Sequence, residues 1–288
     1  MSAPPEQLTE AAVAMPAAAP KVTPVKQPGL ASKVIPPIIV FILGIAAWVG
    51  LHYILNEDKA ITVPLPWDVV KVGVFDWTNF QMVLTSLWLS AKSAIVGLVV
   101  TIVVGLAFAV AMSQAKWVEN ALLPYAIAMQ TTPILALVPV IGVVLGYNFP
   151  SRVLVVVLIS VFPFINNALF GLLSADKSQH DLLTLHHVSR WTRLTKLQLP
   201  AALPAIFTGL RVAAVMAVVG AVVGDFFFTQ GSPGLGQLIN LDASQLQYER
   251  MYTSVILAML LGIAAYLAVV FTEKRVIGKW HVTTRGGV

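Results

Sequence analysis

Residues 174–204 read SADKSQHDLLTLHHVSRWTRLTKLQLPAALP and stand between two long apolar runs, 152–173 and 203–228. The segment is too long for a simple turn between two helices. Its apolar side chains recur at every third position, and a helix that advances about 100° per residue cannot keep such a series on one face. The spacing therefore predicts two short helices that meet at an angle. The apolar positions are Leu182, Leu185, Val188, Trp191, Leu194 and Leu197.

The polar residues of this segment give it a basic side, formed by Lys177, Arg190, Arg193 and Lys196. A helix with one apolar and one basic side can lie on lipid headgroups. It can equally place its apolar side in a groove of a soluble partner protein. The residues alone leave both interpretations open.

Apolar runs long enough to cross a bilayer core of about 30 Å recur along the whole chain. They lie at 34–55, 83–113, 119–146, 152–173, 203–228 and 251–272. The composition agrees, because 58% of the residues are hydrophobic and 11% are charged, whereas soluble domains have about 50% and about 25%. We therefore predict an all-helical integral membrane protein with about six transmembrane helices.

The spans are predicted to form one transmembrane domain, residues 33–280, between two tails. Residues 1–32 are rich in Ala and Pro, a composition that predicts disorder, and residues 281–288 form a short C-terminal tail. Lys and Arg accumulate before the first span, within 174–204 and after the last span. Because short cytoplasmic loops carry an excess of these residues, both termini are predicted to be cytoplasmic.

Several functional classes are excluded by missing motifs. The chain has no cysteine, and therefore no thiolate catalysis or disulfide. It lacks the HExxH, GxSxG and GxxxxGK[ST] motifs, so no catalytic residue is predicted and the chain does not hold ATP in that way. His186 and His187 are adjacent but lack a third ligand, and no metal site is predicted. The net charge of +5 indicates contact with anionic lipid rather than nucleic acid.

The 174–204 segment resembles the cytoplasmic EAA loop of ABC-importer permeases. In that loop Glu-Ala-Ala is followed by three residues, a Gly, nine residues, an aliphatic residue, one more, and Leu-Pro. The same spacing is present here, with Asp181-Leu182-Leu183, His187, Leu197 and Leu199-Pro200. His187 replaces the Gly that permits the turn, so it must adopt a left-handed conformation or displace the bend by one residue.

The resemblance covers roughly residues 60–280 and is closest to the nitrate, sulfonate and taurine branch of these permeases. It includes TTPILALVPV (131–140), VFPFINNALFGL (161–172), LPAALPAIFTGLRVA (199–213), GDFF (224–227) and SPGLGQLI (232–239). It implies the type I importer permease fold (MetI-like), an inner-membrane location and a homodimer around a central pathway. It also implies two ATPase subunits that bind ATP and Mg, and a periplasmic or lipid-anchored binding protein that delivers the substrate. No cofactor is expected in this chain.

By this resemblance the substrate is a small solute such as nitrate, a sulfonate or taurine. A pyrimidine precursor or a riboflavin-like substrate is the alternative within the same family. A stand-alone secondary carrier is the alternative outside it, but such a carrier needs its own intramembrane coupling acids and often shows inverted repeats, and neither is evident.

The candidate residues follow from the family resemblance and from the free-energy cost of placing polar groups in lipid. The residues expected to couple to the ATPase are Asp181, Leu182, Leu183, His187, Arg190, Trp191, Leu197, Leu199 and Pro200. The residues expected along the pathway are Pro133, Pro139, Asn166, Asn167, Arg211 and Asp225. Each of the latter also has a plain structural explanation: a packing kink for the prolines, helix–helix hydrogen bonds for the amides, and interfacial contacts for the charges.

Overall fold

The computed structural model describes residues 30–56, 60–228 and 232–278, with side chains from Val34 onward. The chain divides between Ala47 and Trp48 into two compact units, and each is described by itself. The predicted C-terminal tail, 281–288, lies outside the described residues. So does most of the predicted tail 1–32, but its last three residues belong to the first helix.

All regular elements in the described residues are helices, as predicted. They are α1 (Leu30–Ile54), α2 (Pro66–Val70), α3 (Trp77–Gln114), α4 (Lys116–Thr131), α5 (Ile134–Leu145), α6 (Phe149–Leu172), α7 (Lys177–Leu185), α8 (Arg190–Arg193), α9 (Leu199–Phe227), α10 (Leu235–Ser244) and α11 (Tyr248–Ile277). A wide turn of π-helix, Lys71–Phe75, continues α2, and a second one, Leu194–Gln198, joins α8 to α9.

Five of these helical stretches are long and apolar enough to cross a membrane: α1, α3, α6, α11 and the continuous stretch Arg190–Phe227. The bent pair α4 and α5 adds a sixth span if it is counted as one. The number agrees with the predicted six.

The helices of the unit Trp48–Val288 pack around α9, which lies chiefly against α6 and further against α11 and α3. At one end, where α3 stops and α9 begins, the Gln114 amide donates to the Gln198 side chain (3.4 Å). We call this the loop end, because α7 and α8 lie there. At the opposite or distal end, Arg250 donates to the Asn79 side chain (3.1 Å).

Small residues bring α6 and α9 close together. A Cβ atom on Gly209 would lie 2.7 Å from the Asn167 Cβ, and one on Gly220 would lie 2.9 Å from the Val156 Cα. Lipid supplies no hydrophobic force between helices, so close backbone contact is the usual source of their association in a membrane. Small side chains are buried elsewhere along α9 as well: Ala202, Ala213, Ala214, Ala217 and Ala221.

The predicted third span, 119–146, is a broken helix. The axes of α4 and α5 differ by 95°, and Pro133 lies in the break as the residue before α5. Thr132 Oγ1 donates to the Ala128 carbonyl at the end of α4 (2.7 Å). Pro139 lies inside α5 without ending it. Of the two prolines in the predicted span, only Pro133 lies at the break.

A buried ion pair joins three helices toward the distal end. Arg152, near the start of α6, donates to Asp225, near the end of α9, at 2.8 Å, and the two side chains are 4% and 0% exposed. Ser90 of α3 donates to the second carboxylate oxygen (2.5 Å) and accepts from the Leu235 backbone N–H (2.8 Å). Both charges are thus shielded by protein, as charged groups within membrane proteins require.

The residues around the start of α10 pack directly on this carboxylate. A Cβ atom on Gly234 would overlap the Asp225 carboxylate, and one on Gly236 would overlap the Val222 carbonyl oxygen. The φ angle of Gly234 is −81°, which any residue can adopt. These two glycines are therefore needed for close approach and not for an unusual backbone angle.

We predict that Asp225→Asn strongly destabilises the protein, because the substitution leaves the buried Arg152 guanidinium without a counter-charge. Removing one partner of a buried pair costs about 3–5 kcal/mol. Thermal unfolding of the purified protein in detergent should show a clear fall in melting temperature.

The matched control is Glu119→Gln, which removes the partner of the exposed Lys116. Exposed pairs contribute about 0–1 kcal/mol, so its melting temperature should stay near that of the wild type. Arg152→Gln combined with Asp225→Asn should recover part of the loss, since no unpaired charge remains. Equal melting temperatures for Asp225→Asn and Glu119→Gln would contradict the prediction.

Candidate functional site

The predicted coupling loop contains two short helices, α7 and α8, joined by a tight turn. The Val188 N–H donates to the Leu183 carbonyl (3.1 Å) and the His187 N–H donates to the Thr184 carbonyl (3.0 Å). This pattern is a Schellman motif, which requires a left-handed residue after the helix. His187 is that residue, with φ of +50°. The bend thus lies where the EAA pattern has its glycine, and the left-handed alternative of the sequence analysis is the one adopted.

Further hydrogen bonds fix the angle between the two helices. Ser189 caps α8 by accepting the Thr192 N–H (3.2 Å). Arg193 of α8 donates back to the Thr184 Oγ1 of α7 (2.8 Å). Because the two helices are capped and connected in this way, they form one bent element rather than two independent segments.

The apolar series of the loop is divided between two surfaces. Leu182, Leu185 and Trp191 are 55%, 78% and 71% exposed. Leu194 is buried in a cluster with Leu169 and Ala202. The prediction that one face cannot hold the whole series is confirmed. Large apolar side chains exposed together on a loop mark a surface for a partner or for lipid.

The remaining predicted coupling residues lie on both sides of this element. Asp181 and Arg190 are exposed, and Leu183, Leu197, Leu199 and Pro200 are half-buried. Leu199 packs on the cluster that contains Leu194. The inward residues therefore attach the loop to the bundle, while the outward ones are free for contact.

The two charged residues predicted for the pathway have partners within the protein. Asp225 is fully buried in its pair with Arg152. Arg211 lies in the loop-end half of α9, with its Nε 3.3 Å from a Glu273 carboxylate oxygen of α11. The structure thus places these two side chains in separate pairs, far apart along α9.

The predicted amides and prolines are also dispersed. Asn167 donates to the Pro163 carbonyl of its own helix (2.8 Å), whereas Asn166 is exposed. Pro133 is exposed at the break between α4 and α5, and Pro139 is half-buried in α5. In a single copy of the chain the six residues do not form one site.

Sequence reasoning missed the partners of the buried acids. Arg152 stands at the very start of the apolar run 152–173 and was not named as a candidate. Asp242 was also missed, and it pairs with Arg250 at 2.5 Å although its side chain is fully buried. A search for opposite charges at the predicted ends of neighbouring spans would have named Arg152 with Asp225, whereas Asp242 lies outside the predicted spans. Among the described residues, no group of three or more His, Cys, Asp or Glu could hold a metal ion.

Comparison with known proteins identifies the family. Residues 101–278, from α3 to the end of α11, match the family described as "Binding-protein-dependent transport system inner membrane component". The formylaminopyrimidine transport permease protein ThiX of Halalkalibacterium halodurans is 32% identical over 174 residues, which cover 60% of this chain and 69% of that protein. The riboflavin transport system permease protein RibX of Chloroflexus aurantiacus is 30% identical over 168 residues, covering 58% and 62%.

A third relative, the putative aliphatic sulfonates transport permease protein SsuC of Bacillus subtilis, is 26% identical over 201 residues, covering 69% of this chain and 71% of that protein. The relatives thus carry several different substrate names. They support the family but do not restrict the chain to the nitrate, sulfonate and taurine branch.

A solved structure shows the same fold. The crystal structure of an amino acid ABC transporter with histidines superposes with a TM-score of 0.57 at 16% identity, covering 69% of this chain and 96% of that one. The predicted type I permease fold, membrane location and transport role are confirmed. The chain belongs to the family of inner-membrane components of binding-protein-dependent transport systems, and it is a permease subunit of an ABC importer rather than an enzyme.

Proposed function

We propose that α7 and α8 form the element on which an ATPase subunit docks, and that two copies of this chain pair so that two ATPases dock together. One observation carries the proposal: a bent, capped pair of helices presents Leu182, Leu185 and Trp191 outward. A helix that lies on headgroups needs one continuous apolar face. The turn at His187 separates Leu185 from Trp191, and a bent element of this kind suits a protein cleft better.

This docking requires the loop on the cytoplasmic side, where ATP is available. Because α9 crosses away from the loop end and α11 returns, the C-terminus would be cytoplasmic too. Ile277 at the end of α11 packs with Phe207 of α9 near the loop end, which supports this path. An even number of spans and the Lys and Arg distribution support a cytoplasmic N-terminus. ATP and Mg would bind the ATPase, and the binding protein would dock at the distal end.

The pathway would then lie between the two copies, against surfaces that one copy leaves exposed. Pro133 and Asn166 are exposed in the single chain and are the residues best placed to reach it. Asp225 and Arg211 already have charged partners, so their proposed role is to position α9 beside the pathway.

Two substrate classes have support from the relatives. A nitrogen heterocycle, such as a pyrimidine precursor or a riboflavin-like molecule, is favoured by the relatives at 32% and 30% identity. The nitrate, sulfonate and taurine class is supported by a relative at 26% identity.

We expect the binding protein encoded beside this permease to bind a formylaminopyrimidine or riboflavin in calorimetry. Binding of taurine, a sulfonate or nitrate instead would assign the second class.

We predict that Trp191→Ala leaves the permease inserted in the membrane but removes the ATPase during purification. Truncation of a buried aromatic anchor at an interface costs about 2 kcal/mol or more, which weakens docking about thirtyfold. The measurement is the amount of ATPase that co-purifies at equal membrane expression of the permease.

Trp117→Ala is the matched control, because Trp117 on α4 is 73% exposed but lies outside α7 and α8. ATPase recovery with this variant should equal that of the wild type. Unchanged recovery and transport with Trp191→Ala would refute the docking role and the orientation deduced from it.

A second prediction concerns the turn. A non-glycine residue in the left-handed conformation is strained by about 1–2 kcal/mol, so His187→Gly should preserve docking and raise the melting temperature slightly. His186→Gly should give no such gain, because the φ angle of His186 is −82°. His187→Val, which is β-branched, should weaken ATPase recovery. Loss of docking with His187→Gly but not with His186→Gly would show that the imidazole itself contacts the ATPase.

A further inference from the structure

A cavity of about 460 Å³ lies at the loop end, between the bundle and the two short helices. Its lining comes from the ends of α3 and α6 and from α7 and α8. The cations Lys177, Arg190 and Arg193 line it together with the hydrogen-bonding side chains of Ser113 and Gln114. Within the described part of the chain, no acidic residue belongs to the lining. The cavity therefore has a concentration of positive charge and hydrogen-bond donors.

These cations are not neutralised by the residues around them. In the described ranges, none of Lys177, Arg190 and Arg193 forms an ion pair with a carboxylate. The Arg193 Nε is buried and has no hydrogen-bond partner, although a terminal nitrogen of the same group donates to Thr184. A buried charged donor without an acceptor is costly, and an anion in the cavity, which Arg193 lines, would reduce the electrostatic cost of its guanidinium.

We propose that this cavity binds the phosphate group of an anionic ligand. Guanidinium and ammonium groups that converge on one space are the usual protein partners of phosphate. The phosphate could belong to the headgroup of an anionic lipid or to a free phosphate anion. Basic pockets between transmembrane helices commonly bind lipid headgroups.

Features beside the cations favour the lipid as the source. Leu172 and Leu173, at the end of α6, line the same cavity, and Leu173 is exposed. Trp117, the second residue of α4, is exposed at the same end, and such aromatic residues collect at headgroup level. The cavity thus has a basic side for a phosphate and an apolar side along which an acyl chain can leave.

The site connects two parts of the molecule. Ser113 and Gln114 belong to the bundle, whereas Lys177 and Arg193 belong to the coupling helices. A phosphate held between them would stabilise the attachment of α7 and α8 to the bundle. This role is separate from ATPase docking through the exposed apolar side chains of Leu182, Leu185 and Trp191, which do not line the cavity.

The test is the thermal unfolding of the full-length permease, purified in detergent and depleted of lipid, during titration with phosphatidylglycerol. We expect phosphatidylglycerol to raise the melting temperature and phosphatidylcholine to leave it unchanged. Each removed charge should weaken the apparent affinity about fivefold, so Lys177→Gln combined with Arg193→Gln should weaken it about 25-fold. Lys196→Gln is the matched control, since Lys196 is exposed in the same loop and does not line the cavity.

A parallel titration with inorganic phosphate separates the two sources. A rise in melting temperature with phosphate alone assigns a soluble anion, and a rise only with phosphatidylglycerol assigns the lipid. If the double variant does not fold, Lys177→Gln alone should still show the fivefold loss. The proposal is overturned if neither anion raises the melting temperature, or if Lys196→Gln weakens the effect as much as the cavity variants. Because the readout contains no ATPase, its failure would leave the docking proposal intact.

Discussion

The buried pair of Arg152 and Asp225 determines the arrangement of the distal part of the bundle. An isolated charge within a membrane protein is costly, so the carboxylate must meet both the guanidinium and the Ser90 hydroxyl. This requirement fixes α3, α6 and α9 relative to one another. It also leaves no space for a side chain at Gly234, so the chain that enters α10 is held against the same group. The contacts among α3, α6, α9 and the start of α10 thus meet at one acid.

The sequence predicted the helices and turns that depend only on residues close together in the chain. The apolar run 152–173 corresponds to α6 (Phe149–Leu172), because the thickness of a bilayer sets the length of a span. The triplet spacing predicted two short helices in the coupling loop. The glycine position in the family pattern predicted either a left-handed conformation at His187 or a bend displaced by one residue, and its φ of +50° shows the first.

The sequence did not predict the features that depend on neighbouring helices. The partner of Asp225 lies 73 residues away at Arg152, and only the packing of α6 on α9 brings the two together. Pro133 and Pro139 look alike in the sequence but differ in effect. Thr132 caps the end of α4 just before Pro133, whereas no such end precedes Pro139 within α5. The roles of the candidate pathway residues are equally non-local, since the proposed pathway lies between two copies of the chain.

The wide turn at Leu194–Gln198 gives the molecule a mechanical property. It joins α8 to α9 without a break, so Arg190–Phe227 is one helical stretch of 38 residues, about 57 Å long at 1.5 Å per residue. Its shorter part, residues 190–198, belongs to the coupling loop, and its longer part, α9, crosses the bundle. A displacement of α8 would therefore reach Asp225, near the other end, along continuous helical backbone.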